Sequence, residues 1–253
     1  MHKIFAKPLF LGKKILFLPQ CHSTNEELIG LAKKSKEPEG FITYTDHQKS
    51  GRGQRGNAWL GEAGKNILMS ILLRPSFVSP SKQFLLNLIT GLAVIDALES
   101  YLPKENFLLK WPNDIYLNGK KIGGILIESN LKGSKLEFSV VGLGLNVNQS
   151  GFSLRTATSL FLESGTQLAR EELMEDIVSN LEKWYLKLKN GDVQLIQNSY
   201  LDKLMWKDQL RIFGIEGQEM QGIIRGIDMY GKLKVEIGGE VQLFNIKEIQ
   251  FLR

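Results

Sequence analysis

FLLKWPNDIYLNGKKIGGILIES, residues 107–129, holds an Asn118-Gly119 pair between two apolar runs. Asn-Gly is the strongest short-range signal for a two-residue hairpin, because both turn positions need positive φ. FLLKWPNDIYL therefore reads as a strand and KKIGGILIES as its antiparallel return. A second turn around Lys132-Gly133-Ser134 brings back KLEFSVVGLGLNVN (135–148), so three consecutive antiparallel strands are expected.

Upstream, KILFLPQ (14–20), GFITYT (40–45) and NILMSILLRP (66–75) also read as strands, the last stopped by Pro75. Ser23 followed three residues later by Glu26 is a capping-box pattern that opens a helix to about Lys34. Residues 79–102 carry the longest apolar helical pattern, ended by Pro103, while 168–190 and 193–205 read as amphipathic helices. From Trp206 the pattern changes to short strands with turns at Glu216-Gly217, Tyr230-Gly231 and Gly238-Gly239. Two domains are expected: 1–205, and a small β-barrel over 206–253.

The 253 residues are 43% hydrophobic with a net charge of +5, enough for a core and a bias toward anionic partners. That charge is dispersed, and no RNP, zinc-finger or basic-zipper pattern accompanies it. One cysteine, Cys21, excludes an internal disulfide. No apolar run opens the chain as a secretion signal, and none reaches the roughly 18 uninterrupted residues of a membrane span. A cytoplasmic protein without membrane partners is expected.

QKSGRGQRGNAW (48–59) sets Gly51, Gly53 and Gly56 at G-x-G-x-x-G spacing. A dinucleotide fold needs that turn to open a helix, which Gly61 and Gly64 forbid. A P-loop needs Lys and Ser/Thr after the last glycine, where Asn57 and Ala58 stand, and the H-R-D and D-F-G of a kinase are missing. What survives is physical: bare backbone approaches an anion closely, Arg52 and Arg55 offer fork-shaped charge, and Trp59 offers a ring to a base. A solvated surface loop is the competing reading. KWPND (110–114) groups a lysine, an amide and a carboxylate around a proline, where a strand ending in a Pro-initiated turn is the competing reading, and Lys121 stands beside Gly123-Gly124, where an exposed hairpin lysine is the commoner case. Gly142, Gly144, Asn146 and Asn148 end their strand in a pattern that a bulge and turn would also explain.

HSTN (22–25), QKSGRGQRGNAW, KWPNDIYLNGKKIGGILIE and VVGLGLNVN, in this order and spacing, closely resemble the biotin protein ligase family over roughly residues 20–150. The resemblance implies an α/β fold of α+β type: a mixed, mostly antiparallel sheet with flanking helices, class II aminoacyl-tRNA synthetase-like, plus a small C-terminal SH3-like β-barrel. It implies ATP and biotin as substrates, with Mg2+. Biotin and ATP would give biotinyl-5′-AMP and pyrophosphate. A lysine of the biotin carboxyl carrier protein or domain of a carboxylase, such as acetyl-CoA carboxylase, would then attack the mixed anhydride.

Carried over residue by residue, the resemblance makes Ser23, Thr24, Asn25, Gln48, Arg52, Gly53, Gln54, Lys121 and Gly124 biotin-binding. It makes Arg55, Trp59, Asn113, Asp114 and Asn146 ATP- or adenylate-binding, gives Mg2+ to Asp114, and assigns catalytic charge to Lys121, Arg52 and Arg55. The loop departs from one common family version, G-R-G-R-R-G, at Gln54, where a neutral amide brings no charge. Ser23 has two competing duties, helix cap or biotin contact. The glycine-rich loop is expected to order over its ligand and shield the anhydride from water. About a dozen residues precede the first strand, too few for the DNA-binding helices of repressor members, so no nucleic-acid partner is expected. Monomer and homodimer both stay open. A lipoate or octanoate ligase is the neighbouring enzyme, and a nucleic-acid-binding module the non-enzymatic alternative.

Overall fold

The hairpin forms where Asn118-Gly119 predicts it, with φ of 49° and 80°, joining β5 (Asp114–Leu117) to β6 (Lys120–Lys132) in a computed structural model. The structure describes residues 5–252, and of Arg55 only the backbone. FLLKWPNDIYL is not one strand but two. β4 (Phe107–Lys110) reverses at Trp111-Pro112-Asn113 and pairs antiparallel with β5, Lys110 opposite Asp114. A proline has no N–H for a ladder and ends the pairing there. With β7 (Lys135–Leu145) the expected three strands become four in a row, β4-β5-β6-β7.

The main sheet has seven strands in the order β1-β2-β3-β7-β6-β5-β4. β1 (Ile15–Cys21) and β2 (Ile42–Gln48) are parallel, joined through α1 (Thr24–Lys34), and the other pairs, with β3 (Ile67–Leu73), are antiparallel. All seven residues of β3 are buried, so the sheet is covered on both faces. Ile67, Met69, Ile71 and Leu73 enter the main core with α2 (Phe84–Tyr101), whereas Leu72 packs with Leu28 of α1 on the other face. The α1 face also carries Ser70, Gly142 and Gly144, and it is the face on which the cavity opens.

α2, with the turn before it from Pro80, is long and apolar enough to cross a membrane by length and composition. Here it is a core helix, packed on α4 (Arg170–Asn190) and the sheet. The N-terminal segment is tied to α4: the buried Glu182 carboxylate accepts from the backbone N–H groups of Leu9, Phe10 and Leu11 at 2.5, 2.8 and 2.8 Å. Sequence periodicity missed the short α3 (Leu160–Ser164), whose N-cap Ser159 accepts from Leu162 N–H. It found α5 (Val193–Asp202), after which residues 203–205 run along the β4 edge, Leu109 exchanging backbone hydrogen bonds with Lys203 and Met205.

The remaining strands form a five-stranded antiparallel sheet, β11-β10-β9-β8-β12. These are β8 (Leu210–Ile215), β9 (Gln218–Ile227), β10 (Leu233–Ile237), β11 (Glu240–Phe244) and β12 (Ile249–Phe251). The expected turns are there: Gly217, Gly231, Gly238 and Gly239 all have positive φ. Trp111 Nε1 donates to Gly231 O at 2.9 Å, tying the KWPND turn to this second sheet.

Candidate active site

α1 begins at the cavity, and its start is not a capping box. Ser23 occupies the N-cap position with extended backbone, but its side chain makes no capping hydrogen bond. Gln48, at the end of β2 and opposite Cys21, takes that role: its Oε1 accepts from Thr24 N–H at 2.8 Å. Ser23, buried and lining the cavity, makes no hydrogen bond through its hydroxyl to another described residue. Glu26 turns instead to Arg52, 3.4 Å away. Asn25 is spent on structure, donating to Leu126 O and Glu128 and accepting from Ser70.

The floor is bare backbone. Gly124 of β6 lies opposite Gly144 of β7, and the Trp59 ring rests on this pair. A Cβ at Gly144 would meet the indole at 2.6 Å, and one at Gly142 would meet Asn25 Oδ1 at 2.3 Å. These glycines are therefore neither bulge nor turn, because β7 runs on unbroken in register with β3. They are clearance for side chains from α1 and the loop. Trp59 Nε1 is buried without a hydrogen-bond partner. Residues 51–59 fold back on themselves, Trp59 N–H donating to Gly51 O and Gly53 N–H to Asn57 O, which sets the ring in place.

Lys121 and Asp114 meet over this floor at 2.6 Å, and the Lys121 ammonium stands 6.0 Å from the Trp59 ring. The Lys121 backbone is held from behind by Thr156 and Thr158. Asn113 donates through its amide to Ile125 O at 2.7 Å, while Ile125 N–H returns to Asn113 O. Arg52 reaches both Glu26 and Glu128, at 3.4 Å each.

The cavity is about 320 Å³, within the size of a small-molecule site. Of the predicted residues, Ser23, Thr24, Asn25, Gln48, Arg52, Gly53, Gln54, Trp59, Asn113, Asp114, Lys121 and Gly124 all line it. Asn146 does not. It is buried behind the wall, donating to Thr158 O, and so supports the segment that braces Lys121. The side chain of Arg55 lies outside the described residues. Sequence reading missed Ile249, Gln250 and Phe251 of β12 and Ile246 of the connection before it, and gave Lys110 no role. Among the described lining side chains three are cationic, Arg52, Lys110 and Lys121, and one is a carboxylate, Asp114, a balance that suits an anion. Cys21 is buried and burial pushes its thiol up, against thiolate chemistry.

The model of the biotin/lipoate A/B protein ligase family matches residues 17–146, from β1 to the end of β7. The chain belongs to that family. A biotin--[acetyl-CoA-carboxylase] ligase of Mycobacterium tuberculosis is 30% identical over 237 residues, covering 92% of this chain and 87% of the relative. The bifunctional ligase/repressor BirA of Bacillus spizizenii is 32% identical over 180 residues, but the match spans only 54% of its length against 69% of this chain. Biotin protein ligase from Aquifex aeolicus, solved in complex with biotin and ATP, superposes with a TM-score of 0.79 at 27% identity, covering 95% of this chain and 99% of that one. The biotin/lipoate ligase match stops at Asn146, so the wall built by Gln250 and Phe251 lies beyond it.

Proposed function

We propose that this chain is an ATP-dependent biotin protein ligase. The observation that carries the reading is the convergence of Lys121, Asp114, Arg52 and the Trp59 ring on a glycine floor inside one cavity. A carboxylate oxygen of biotin displaces pyrophosphate from the α-phosphorus of ATP, and the lysine amine of a biotin carboxyl carrier domain then displaces AMP from the acyl carbon and loses a proton. Two anions must meet in the first step, so charge placed in advance does most of the work. Lys121 receives the biotin carboxylate and polarises it. Arg52 and Gln54, from the loop, cover the bound ligand and keep water from the anhydride. Trp59 offers its face to the adenine side.

Mg2+ fits the donor set at the KWPND turn. Asp114 would supply one carboxylate and Asn113 its amide oxygen, the sparse protein set of an ion whose other ligands are phosphates and water. When bound it adds positive charge at the phosphates. Among the described residues no group of three His, Cys, Asp or Glu could hold a metal by itself.

Biotin-dependent ATP–pyrophosphate exchange tests the reading. The parent is expected to exchange, and Lys121→Ala to lose about 10²-fold or more of the rate, as for one lost charge-stabilising donor. Exchange driven by lipoate and not biotin, or equal rates in the two proteins, overturns it.

A further inference from the structure

We propose that Glu163 is a positioning residue for Lys121: through Thr158 it holds the segment that carries the Lys121 backbone. This rests on the ligase reading above, in which Lys121 receives the biotin carboxylate. Lys121 lies outside the β6–β7 ladder, whose pairing runs from Gly123 opposite Leu145 to Lys132 opposite Lys135. Residues 156–158 take the place of the missing strand, and Ala157 forms an isolated parallel bridge with Lys121. Lys121 N–H donates to Thr156 O, and Thr158 N–H to Lys121 O, both at 2.9 Å.

Thr158 Oγ1 donates to Glu163 Oε1 at 2.7 Å. The same carboxylate pairs with Lys120 Nζ at 3.2 Å and accepts from Asn118 Nδ2 at 3.4 Å, so one side chain grips both the 156–158 segment and the hairpin that leads into Lys121. Consecutive residues of a strand leave it on opposite faces. Lys120, held at Glu163, therefore keeps Lys121 turned to the cavity, where it meets Asp114 at 2.6 Å. The Glu163 side chain is only 14% exposed, which shields these bonds from water. Burial alone would raise its pKa, but the hydrogen bonds from Thr158, Lys120 and Asn118 prevail and hold the carboxyl below the usual range, so it stays an acceptor.

Glu163 itself stands on a fixed base. Ser159 caps α3 by accepting from Leu162 N–H at 3.1 Å, and Gly165 closes the helix with φ of 71°. Leu160 is fully buried, and the N–H groups of Leu160 and Phe161 donate to Asn146 O and Val147 O at 3.2 and 2.9 Å, just past the end of β7. α3 is thereby fastened to the main sheet. Asn146 Nδ2 holds Thr158 O at 3.0 Å, so Thr158 is gripped through both its carbonyl and its hydroxyl. Glu163 is not among the residues that line the cavity, and it acts on a ligand only through Lys121.

The test is biotin-dependent ATP–pyrophosphate exchange and calorimetric biotin binding, in the parent and in Lys121→Ala. Glu163→Leu and Thr158→Val are each expected to lower the parent's exchange rate and biotin affinity about five- to ten-fold, as for a misplaced binding group. In the Lys121→Ala background the same changes are expected to shift biotin affinity less than about two-fold, because the residue they position is gone. Glu163→Gln keeps an acceptor for Thr158 and gives up only the charge facing the exposed Lys120, so it is expected to stay within about two-fold of the parent. Equal losses in the two backgrounds, parent-like Glu163→Leu and Thr158→Val, or a loss in Glu163→Gln as large as that in Glu163→Leu overturns the proposal. Amide hydrogen exchange of Lys121 and Thr158 needs no ligand. It is expected to quicken about five-fold or more in Glu163→Leu and Thr158→Val, with the amides of β3 at parent rates. Unchanged rates at Lys121 and Thr158, or an equal rise in β3, overturns the proposal as well. Thr158→Val carries the test if Glu163→Leu does not fold. A parent without exchange overturns the ligase reading instead, and the amide rates then decide for Glu163.

Discussion

Ser23 sits at the N-cap of α1 and leaves the capping to Gln48, which separates two duties that the sequence alone assigns to one hydroxyl. Serine suits both roles, and only the position of β2 shows that a glutamine amide gets to Thr24 N–H first. Two substitutions distinguish the duties. Gln48→Ala removes the acceptor of an orphan helix N–H and is expected to cost about 1 kcal/mol in urea unfolding. Ser23→Ala is expected to change stability by less than about 0.5 kcal/mol, as for a side chain without a structural bond. Its KM for biotin should rise several-fold. A full capping loss in Ser23→Ala with an unchanged KM would restore the structural role. Lys121 and Asp114 were legible as cavity residues only through the resemblance, because a lysine just past an Asn-Gly turn and a carboxylate after a proline turn also suit a plain exposed hairpin. Asn146 was not, since an amide that braces a wall and an amide that faces a ligand look alike in the chain.

At the scale of elements, turns were legible and close approaches were not. Asn118-Gly119, Gly133 and Gly217 announce themselves by needing positive φ. Gly142 and Gly144 have no such need; what they accommodate arrives from α1 and from the 51–59 loop, distant in sequence, so β7 read alone suggests a bulge. Lys110 to Asp114 was legible only as an alternative, a strand ending in a turn at Pro112, because a reversal of three residues inside an apolar run carries only that proline as its mark. Gly144→Ala tests the floor. A methyl there would stand 2.6 Å from the indole, so the Trp59 ring must leave the Gly124–Gly144 pair. Exchange activity is expected to fall about ten-fold or more, and Trp59→Leu to reduce it comparably. In the double variant the two losses should not add, because both remove the same platform. Full additivity would mean that the ring and the glycine act apart.

For the whole molecule, hydrophobic period and turn spacing located both sheets, but nothing in either pattern says that Phe251 and Gln250 close a cavity opened by β6 and β7. Contacts between regions far apart in the chain leave no local period. The attachment of the N-terminal segment is of the same kind. Lys7 pairs with Asp176 of α4 at 2.6 Å, and Tyr101, the last residue of α2, donates its hydroxyl to the same carboxylate at 2.7 Å. Burial first, and that hydrogen bond second, push the Tyr101 hydroxyl from 10.0 up to about 12. A folded-state value raised above the unfolded one gives stability that is whole below the unfolded value and is lost as pH climbs through the folded one. The parent should therefore be more stable than Tyr101→Phe at pH 9, and its advantage should shrink between pH 10 and 12, the window set by those two values. Urea unfolding of both proteins across that range reads the difference directly, and cancels the titration of the lysines and other tyrosines that the two share. A gap that stays constant up to pH 12 would mean that the junction of α2, α4 and the N-terminal segment does not hold the tyrosine neutral, and that it draws its strength from packing alone.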